Sequence, residues 1–591
     1  MADKEIIVAI DFGSSGAGYA YAFRGKNKIY SSRFEGTGEK IKTLNEVILN
    51  DSNEIVKYGG YEVKNHIRNG NFKQGEHYYQ RIKMNLYENK SNIISVNDEK
   101  EIDIGLLIFR ILEYIKKHAI TTIIEKKKGL GEKFDYEKEN NKIKWILTVP
   151  AIWNEKNKNI MINAAENAGI VEQFDTTFFL ALEPEAASYY CLNDFKEKPN
   201  SGELFNSPYI VCDLGGGTAD IVCHERIYED EKEKMKEKCE PRGGPFGSNE
   251  INEEFKKKVL KLLFGEQVFD KLKEEFNKSL KDKKKSFSKR YMNLDEEINL
   301  FKESIDENYS TKSCLIDCSI FFINNKGLNI DKIINDYNKK CKKDWKIIEY
   351  GKDEDDRNIM FPYTIIYDLT KALTDKISKL ILDILSKVNN VGTILYVGGF
   401  CNSKFAVKLI QNEIKKQYPK IRHIIPNNPD NAILYGAVHY GLDPERIKSR
   451  KAKYSLGINA YVPWEDKYNG RGIKIYDEEY NGDVCKNAFD RFISKDEDIP
   501  FNKRITKLFS LRDYGNGVYG SRLIIYKSSN PNTLFIDEDG VEEIGRFDFT
   551  INNGNYQKKT FLVTLELGGT FLNASAFHQN SGTRVNMIFN Y

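Results

Sequence analysis

An acid, three consecutive glycines and a threonine lie between Asp213 and Thr218, inside YIVCDLGGGTADIVCHE (Tyr209 to Glu225). Apolar runs flank them on both sides. Consecutive glycines let backbone N–H groups approach a bound anion with no Cβ in the way. Phosphate oxygens are the usual occupants of such a cradle. The Asp213 carboxylate would repel phosphate directly. It suits Mg2+ held through water, because Mg2+ keeps several waters and takes carboxylate and phosphate oxygens together. The Thr218 hydroxyl can hydrogen-bond a phosphate or orient a water. Taken alone, the stretch also fits a tight hairpin whose glycines serve only the turn.

Three other stretches bear on that choice. IDFGSSGAGYAYAF repeats the pattern, with Asp11, Gly13, Ser14 and Ser15 at a second turn. YVGGFCNS puts Gly398 and Gly399 at a strand-to-helix junction, where an anion or a ribose can sit. NNPDNAILYGAVHYG supplies a capped helix with Asp430 near its start. Together the four stretches point to a Mg-nucleotide site. GTGEK (Gly36 to Lys40) lacks the spacing of a P-loop, and no apolar strand feeds it. Cys314 and Cys318 have no second Cys/His pair to complete a zinc site.

These side chains need strands and helices to hold them. Glu5 to Phe23 and Tyr209 to Glu225 each read strand, tight turn, strand, and Asp11-Phe12-Gly13 aligns with Asp213-Leu214-Gly215. The pattern reads as one α/β unit duplicated. Apolar residues at three- and four-residue steps predict a helix over Ile104 to Ile124. KIKWILTVPAIW reads as a strand entering a Pro turn, and the following helix ends at Gly169. A long charged helical segment covers Val268 to Ile305. From Tyr454 onward the period is two: Phe561, Val563, Leu565 and Leu567 share one face, as do Val585, Met587, Phe589 and Tyr591. That tail reads as a separate antiparallel β-domain, with RIKSRKAK (Arg446 to Lys453) at the junction.

The chain has 591 residues, enough for two or more domains. Its 90 basic and 87 acidic residues leave a net charge of +3, which gives no electrostatic reason to expect a nucleic-acid or membrane partner. The N-terminus has no signal-peptide pattern and no apolar run reaches membrane-spanning length. Nine scattered cysteines read as reduced thiols of a cytoplasmic protein.

The motifs resemble the 70-kilodalton heat-shock chaperones of the actin-like ATPase superfamily. IDFGSSGAGYAYAF, TVPAIWNEKNKNIMINAAENAGI, LEPEAASYY, CDLGGGTADI, YVGGFCNS and NPDNAILYGA have counterparts there in the same order, from about Ile6 to Leu442. GGPFGSNEINEEF and RIKMNLY look closer to the divergent twelve branch. The resemblance implies an α/β fold: a duplicated actin-like (ribonuclease H-like) ATPase domain of two lobes over residues 1–448, followed by a β-rich substrate-binding-like domain over 452–591. Lobe I would cover about 1–207, lobe II about 208–425, and a closing helix would run to about 445. It implies ATP/ADP and Mg2+ as cofactors, with Asp11 and Asp213 holding the hydrated metal. Gly13, Ser14, Ser15, Gly215, Gly216, Gly217 and Thr218 would bind phosphates. Thr218 and Asp220 would lie near the attacking water, and Glu183 would join the metal–water network. Gly398, Gly399 and Asp430 would contact the adenosine, with Lys302 on the adenine-side helix. Either Arg81 or Lys83 would stand for the family's catalytic lysine and reach the phosphates, and Lys83 fits better. Pro150 and Lys158 match positions that relay nucleotide state.

The chain also departs from the family. The junction is basic and polar where the chaperones have an apolar linker, and no helical lid follows the β pattern. The resemblance implies a Mg-dependent, chaperone-like ATPase coupled to polypeptide binding by the β-domain, and the departures motivate the first of the alternatives that follow. Two alternatives are a nucleotide-gated scaffold with slow or no hydrolysis, and a small-molecule kinase of the same superfamily.

Overall fold

The computed structural model describes the chain except residues 1–4, 27, 32, 36, 37, 39, 171–178, 196–200, 283, 284, 306–312, 324, 326, 354–356, 479, 514, 517, 552–559, 568–571, 587, 590 and 591. Met587 and Tyr591 of the C-terminal alternation, and most of GTGEK, fall outside the described residues. The chain divides into two compact units. One comprises Met1–Val222 with Pro241–Pro444, and the other Cys223–Glu240 with Glu445–Tyr591.

In the first unit, Ile6–Phe12 (IIVAIDF) is buried at every residue. A near-continuous apolar run, broken here only by Asp11, is what a strand covered on both faces shows. It pairs antiparallel with Gly16–Phe23 and parallel with Ile143–Val149, which is itself parallel to Phe179–Leu182. Tyr209–Leu214 is likewise buried throughout, neighbours Ala219–Glu229 and runs parallel to Thr393–Val397. Both sheets thus grow on one plan: a hairpin on one side of the first strand and a parallel partner on the other. The plan places Asp11 opposite Gly18 and Asp213 beside Val397, each near the end of its strand.

Helices cover these sheets. Ile104–Gly129 starts at Asp103, whose side chain accepts the Leu106 N–H at 2.8 Å. Lys126, Lys127 and Lys128 fill its last turn, where the helix dipole favours cations. Glu155–Asn167 stops before Gly169, which takes φ of 62°. Glu183–Asp194 begins with Pro184 in its first turn and is buried from Glu183 to Leu192. The charged segment forms Glu266–Lys281 and Lys285–Ser304. Among the described residues no helix is long and apolar enough to cross a membrane.

Most strands of the second unit pair antiparallel. Tyr519–Ser528 pairs with Ser455–Asn459 and Val541–Ile551, and Thr560–Leu567 pairs with Lys503–Ser510 and Asn573–His578. The period-two face is the buried one: Phe561, Val563, Leu565 and Leu567 join Phe547 and Phe549 in one core, and the Phe549 and Phe561 rings stack at 5.0 Å. Arg446 to Lys453 does not form a free connector. Ile447–Lys451 is a strand, parallel to Lys232–Glu237 and antiparallel to Asp498–Pro500. Its basic charges have partners within this unit: Arg446 with Glu233 at 2.7 Å, Lys448 with Glu229 at 2.9 Å and Lys451 with Asp498 at 2.9 Å.

Candidate functional site

The two hairpin turns lie face to face. A Cβ on Gly217 would stand 2.7 Å from Ser14 Cβ and Oγ, and one on Gly216 would collide with Ser15 Oγ, so only glycine allows this approach. Within the turns, Gly13 N–H donates to Gly16 O at 2.9 Å and Gly215 N–H to Thr218 O at 3.0 Å. Gly247, Ser248 and Asn249 donate their N–H groups to the carbonyls of Gly217, Gly215 and Gly216 at 3.1, 3.1 and 2.9 Å. The Asn249 side chain reaches across to Ser15 Oγ at 3.2 Å.

Behind the turns sits a buried charge cluster. Asp11, Lys83, Glu183, Asp213 and Asp220 are all buried. Lys83, on Ile82–Tyr87, is paired with Glu183 and lies 5.5 Å from the Trp153 ring centroid. Arg81 points away: it is half exposed and meets Glu253 at 3.4 Å. Asp11 Oδ1 accepts from Thr148 Oγ1 at 2.8 Å, and Oδ2 meets Lys42 Nζ at 2.5 Å. Asp220 Oδ1 accepts the Ile152 N–H at 3.2 Å, in the turn that follows Pro150. Four carboxylates therefore share two lysines. Asp213 Oδ1 and Asp220 Oδ2 are buried without a hydrogen-bond partner among the described residues.

The electrostatics follow from that imbalance. Burial pushes the Asp213 carboxyl well above its ordinary value, and Glu183, Asp220 and Asp11 push it further. Burial lifts Asp220 to about 6. Glu183 is raised by burial, which outweighs the opposing Lys83 charge. Burial acts on Asp11 too, but Lys42 and Lys83 overcome it and hold its carboxyl low. Among the described residues no three side chains converge closely enough to ligate a metal directly. A Mg2+ that keeps its waters asks for less: nearby carboxylates with free lone pairs and a deficit of positive charge. Asp213 and Asp220 supply both.

The remaining candidates lie around this cluster. Gly398 takes φ of 88°, and a Cβ there would stand 2.5 Å from Asp213 Oδ1, so this glycine rests against the carboxylate. Gly399 opens the short helical turn that follows. Asp430 Oδ1 accepts from Asn402 at 2.7 Å, and its backbone carbonyl accepts from Lys42 at 2.8 Å. Lys302 is buried and donates to Asn299 at 2.9 Å, Asn252 at 3.2 Å and the Ser248 carbonyl at 3.4 Å. Burial lowers its ammonium to about 8. Lys158 pairs with Glu155 at 2.8 Å on its own helix.

Comparison with known proteins finds relatives over almost the full chain. Heat shock 70 kDa protein 12A of Homo sapiens and that of Mus musculus are each 25% identical, over 97% of this chain and 89% of the relative. Heat shock 70 kDa protein 12B of Homo sapiens is 22% identical over 92% of this chain and 83% of its own length. The chain resembles the heat shock 70 kDa protein 12 branch. No family model matches it.

Lys42, Thr148, Trp153 and Asn249 belong to the cluster and its turns but are not among the sequence candidates. Lys42 sits in KIKTLNE, a stretch with no motif. Thr148 and Trp153 flank Pro150 and carry a weak signal only, since that segment carries one of the family-like motifs.

Proposed function

We propose that the chain is a Mg-dependent ATP-binding and hydrolysing protein of the heat-shock 70 type, with an actin-like nucleotide domain of two lobes and a β-rich domain that binds polypeptide. The observation that carries this reading is the pair of partnerless oxygens, Asp213 Oδ1 and Asp220 Oδ2, inside a cluster of four carboxylates at two facing glycine turns. Bound Mg2+ would neutralise phosphate charge, and Asp213 is the residue best placed to hold its waters. The backbone of Gly215 to Thr218, with Ser14 and Ser15, would cradle phosphates. Lys83 would add positive charge there, held in place by Glu183 and Trp153. Asp220, raised by burial, is suited to accept a proton or a hydrogen bond from a water. Hydrolysis of this kind rests on positioning and charge stabilisation. Adenosine would lie toward Gly398, Gly399, Asp430 and Lys302. The polypeptide partner is drawn from the resemblance, and the cytoplasmic setting from the scattered, unpaired cysteines.

A second reading, the nucleotide-gated scaffold with slow turnover, draws on the close contact of Ser14 and Ser15 with Gly217 and Gly216. Opening these turns would have to precede productive binding. Calorimetric titration of ATP with and without Mg2+, followed by phosphate release from the same sample, tests both. Tight Mg-dependent binding with turnover supports the ATPase, binding without turnover the scaffold, and no binding rejects the nucleotide site.

A further inference from the structure

Lys42 occupies a place no motif anticipates. Its stem lies along the glycines of the first hairpin: a Cβ on Gly18 would stand 3.1 Å from Lys42 Cγ, and one on Gly16 would stand 3.6 Å from Lys42 Cβ. Its ammonium meets Asp11 Oδ2 at 2.5 Å and donates to the Asp430 carbonyl at 2.8 Å. The other Asp11 oxygen is taken by Thr148 at 2.8 Å. Both oxygens of Asp11 are thus engaged, while Asp213 Oδ1 is not. The two acids at the ends of the duplicated strands are not equivalent. One has a cation in direct contact, and the other has an oxygen with no hydrogen-bond partner among the described residues.

We propose that Lys42 is a resident counter-ion at the phosphate side of the site, doing at Asp11 what a metal ion would otherwise do, so that part of the nucleotide affinity survives removal of Mg2+ and the metal is held on the Asp213 side of the cluster. The inference rests on the nucleotide-site reading above. The physical reason is charge. With Lys42 in place, the cluster carries two ammonium groups against four carboxylates, and a fixed cation lies beside the turn that would cradle phosphate. Removing it leaves Lys83 alone against the same four acids, and the solution must then supply the missing charge. Lys42 also joins the first hairpin to the Asp430 turn, so one ammonium serves both.

The test uses the full chain, melted without nucleotide in EDTA and in excess Mg2+, with ADP titrated calorimetrically under both conditions. Mg2+ is expected to raise the wild-type melting temperature less than that of a neutral Lys42 variant, and the wild-type ADP affinity should fall no more than about tenfold without Mg2+. Lys42→Met should melt lower in EDTA, recover in Mg2+, and lose about ten- to a hundredfold of ADP affinity without the metal, the range expected for a charge-assisted contact. Lys42→Arg should restore wild-type behaviour. If Lys42→Met does not accumulate, Lys42→Gln, which keeps a donor but no charge, carries the same expectations. A neutral variant with wild-type melting and unchanged Mg2+ dependence overturns the proposal, as does a wild-type protein that Mg2+ stabilises as much as the variant. If ADP binds in neither condition, the nucleotide-site reading fails, and the melting comparison alone decides the role of Lys42.

Discussion

Replacing Asp220 by Asn should stabilise the metal-free protein while removing turnover. The carboxyl is fully buried; Oδ1 accepts the Ile152 N–H at 3.2 Å and Oδ2 has no partner. A carboxamide keeps the Oδ1 acceptor and puts a neutral NH2 where the orphaned oxygen stands. Burial raises the carboxyl from 3.8 to about 6. A rise of that size is worth about 3 kcal/mol at most, at about 1.4 kcal/mol for each tenfold change in proton affinity. Because the folded-state pKa lies above the unfolded one, the native state holds its proton longer as pH rises. Stability is therefore favoured at low pH and lost through this group as pH climbs from about 4 past 6. The Asn variant escapes that loss. Its advantage over wild type should grow with pH, to at most about 2 kcal/mol at pH 5 and at most about 3 kcal/mol at pH 8. Urea titrations of the nucleotide-free chain in EDTA at several pH values read this directly, as a shift in midpoint at constant slope. Excess Mg2+ should shrink the gap by supplying the missing charge to wild type. A difference that is flat with pH, or a wild-type protein more stable at pH 8, would refute the claim that burial of this acid outweighs the contacts it makes with Ile152, Lys83, Thr218 and Ala151.

Other expectations follow from the same geometry. Asp213→Asn should lose at least about a hundredfold in Mg-dependent phosphate release, the scale of removing one electrostatic stabiliser, while ATP binding measured by calorimetry persists. Lys83→Ala leaves Glu183 buried and unpaired, and should cost about 3–5 kcal/mol in denaturant titrations as well as turnover. Arg81→Ala breaks only a half-exposed pair with Glu253 and should change stability by less than about 1 kcal/mol, with normal turnover. Loss of activity in the arginine variant alone would exchange the two roles. Gly398→Ala combines a φ of 88° with a Cβ against Asp213, and should lower both the melting temperature and ATP affinity. Phe561→Ala removes a ring stacked on Phe549, and should cost about 3–5 kcal/mol in the unfolding of the second unit without altering ATP binding.

Much of this was legible in sequence because it is local. Apolar runs broken by Asp-x-Gly expose the two hairpins, and the period-two run ending at Leu567 gives the buried face of the β-rich unit. The cluster's acids are legible as types at strand ends and at the start of the Glu183 helix. What sequence spacing does not carry is proximity across the fold. Lys42 is 31 residues from Asp11 and 388 from Asp430, and only tertiary packing brings its ammonium to both. Arg81 and Lys83 are indistinguishable by composition. The backbone separates them, since Arg81 sits at φ of 57° just before the short helix that turns Lys83 inward. The basic stretch from Arg446 reads as a connector because its partners, Glu229, Glu233 and Asp498, come from distant parts of the chain.

The strand Ala219–Glu229 starts at the second glycine turn and continues past Val222 into residues that pack with the C-terminal half. Neither unit is a contiguous piece of polypeptide. A fragment starting at residue 452 would lack the Lys232–Glu237 and Ile447–Lys451 strands and present a raw sheet edge at Asp498–Pro500. A fragment ending at 448 would carry the hairpin with its ladder unfilled. A protease nick just after Lys451 should then leave two pieces that travel together on a sizing column until denatured. Pieces made separately should find each other as donor and acceptor of a missing strand.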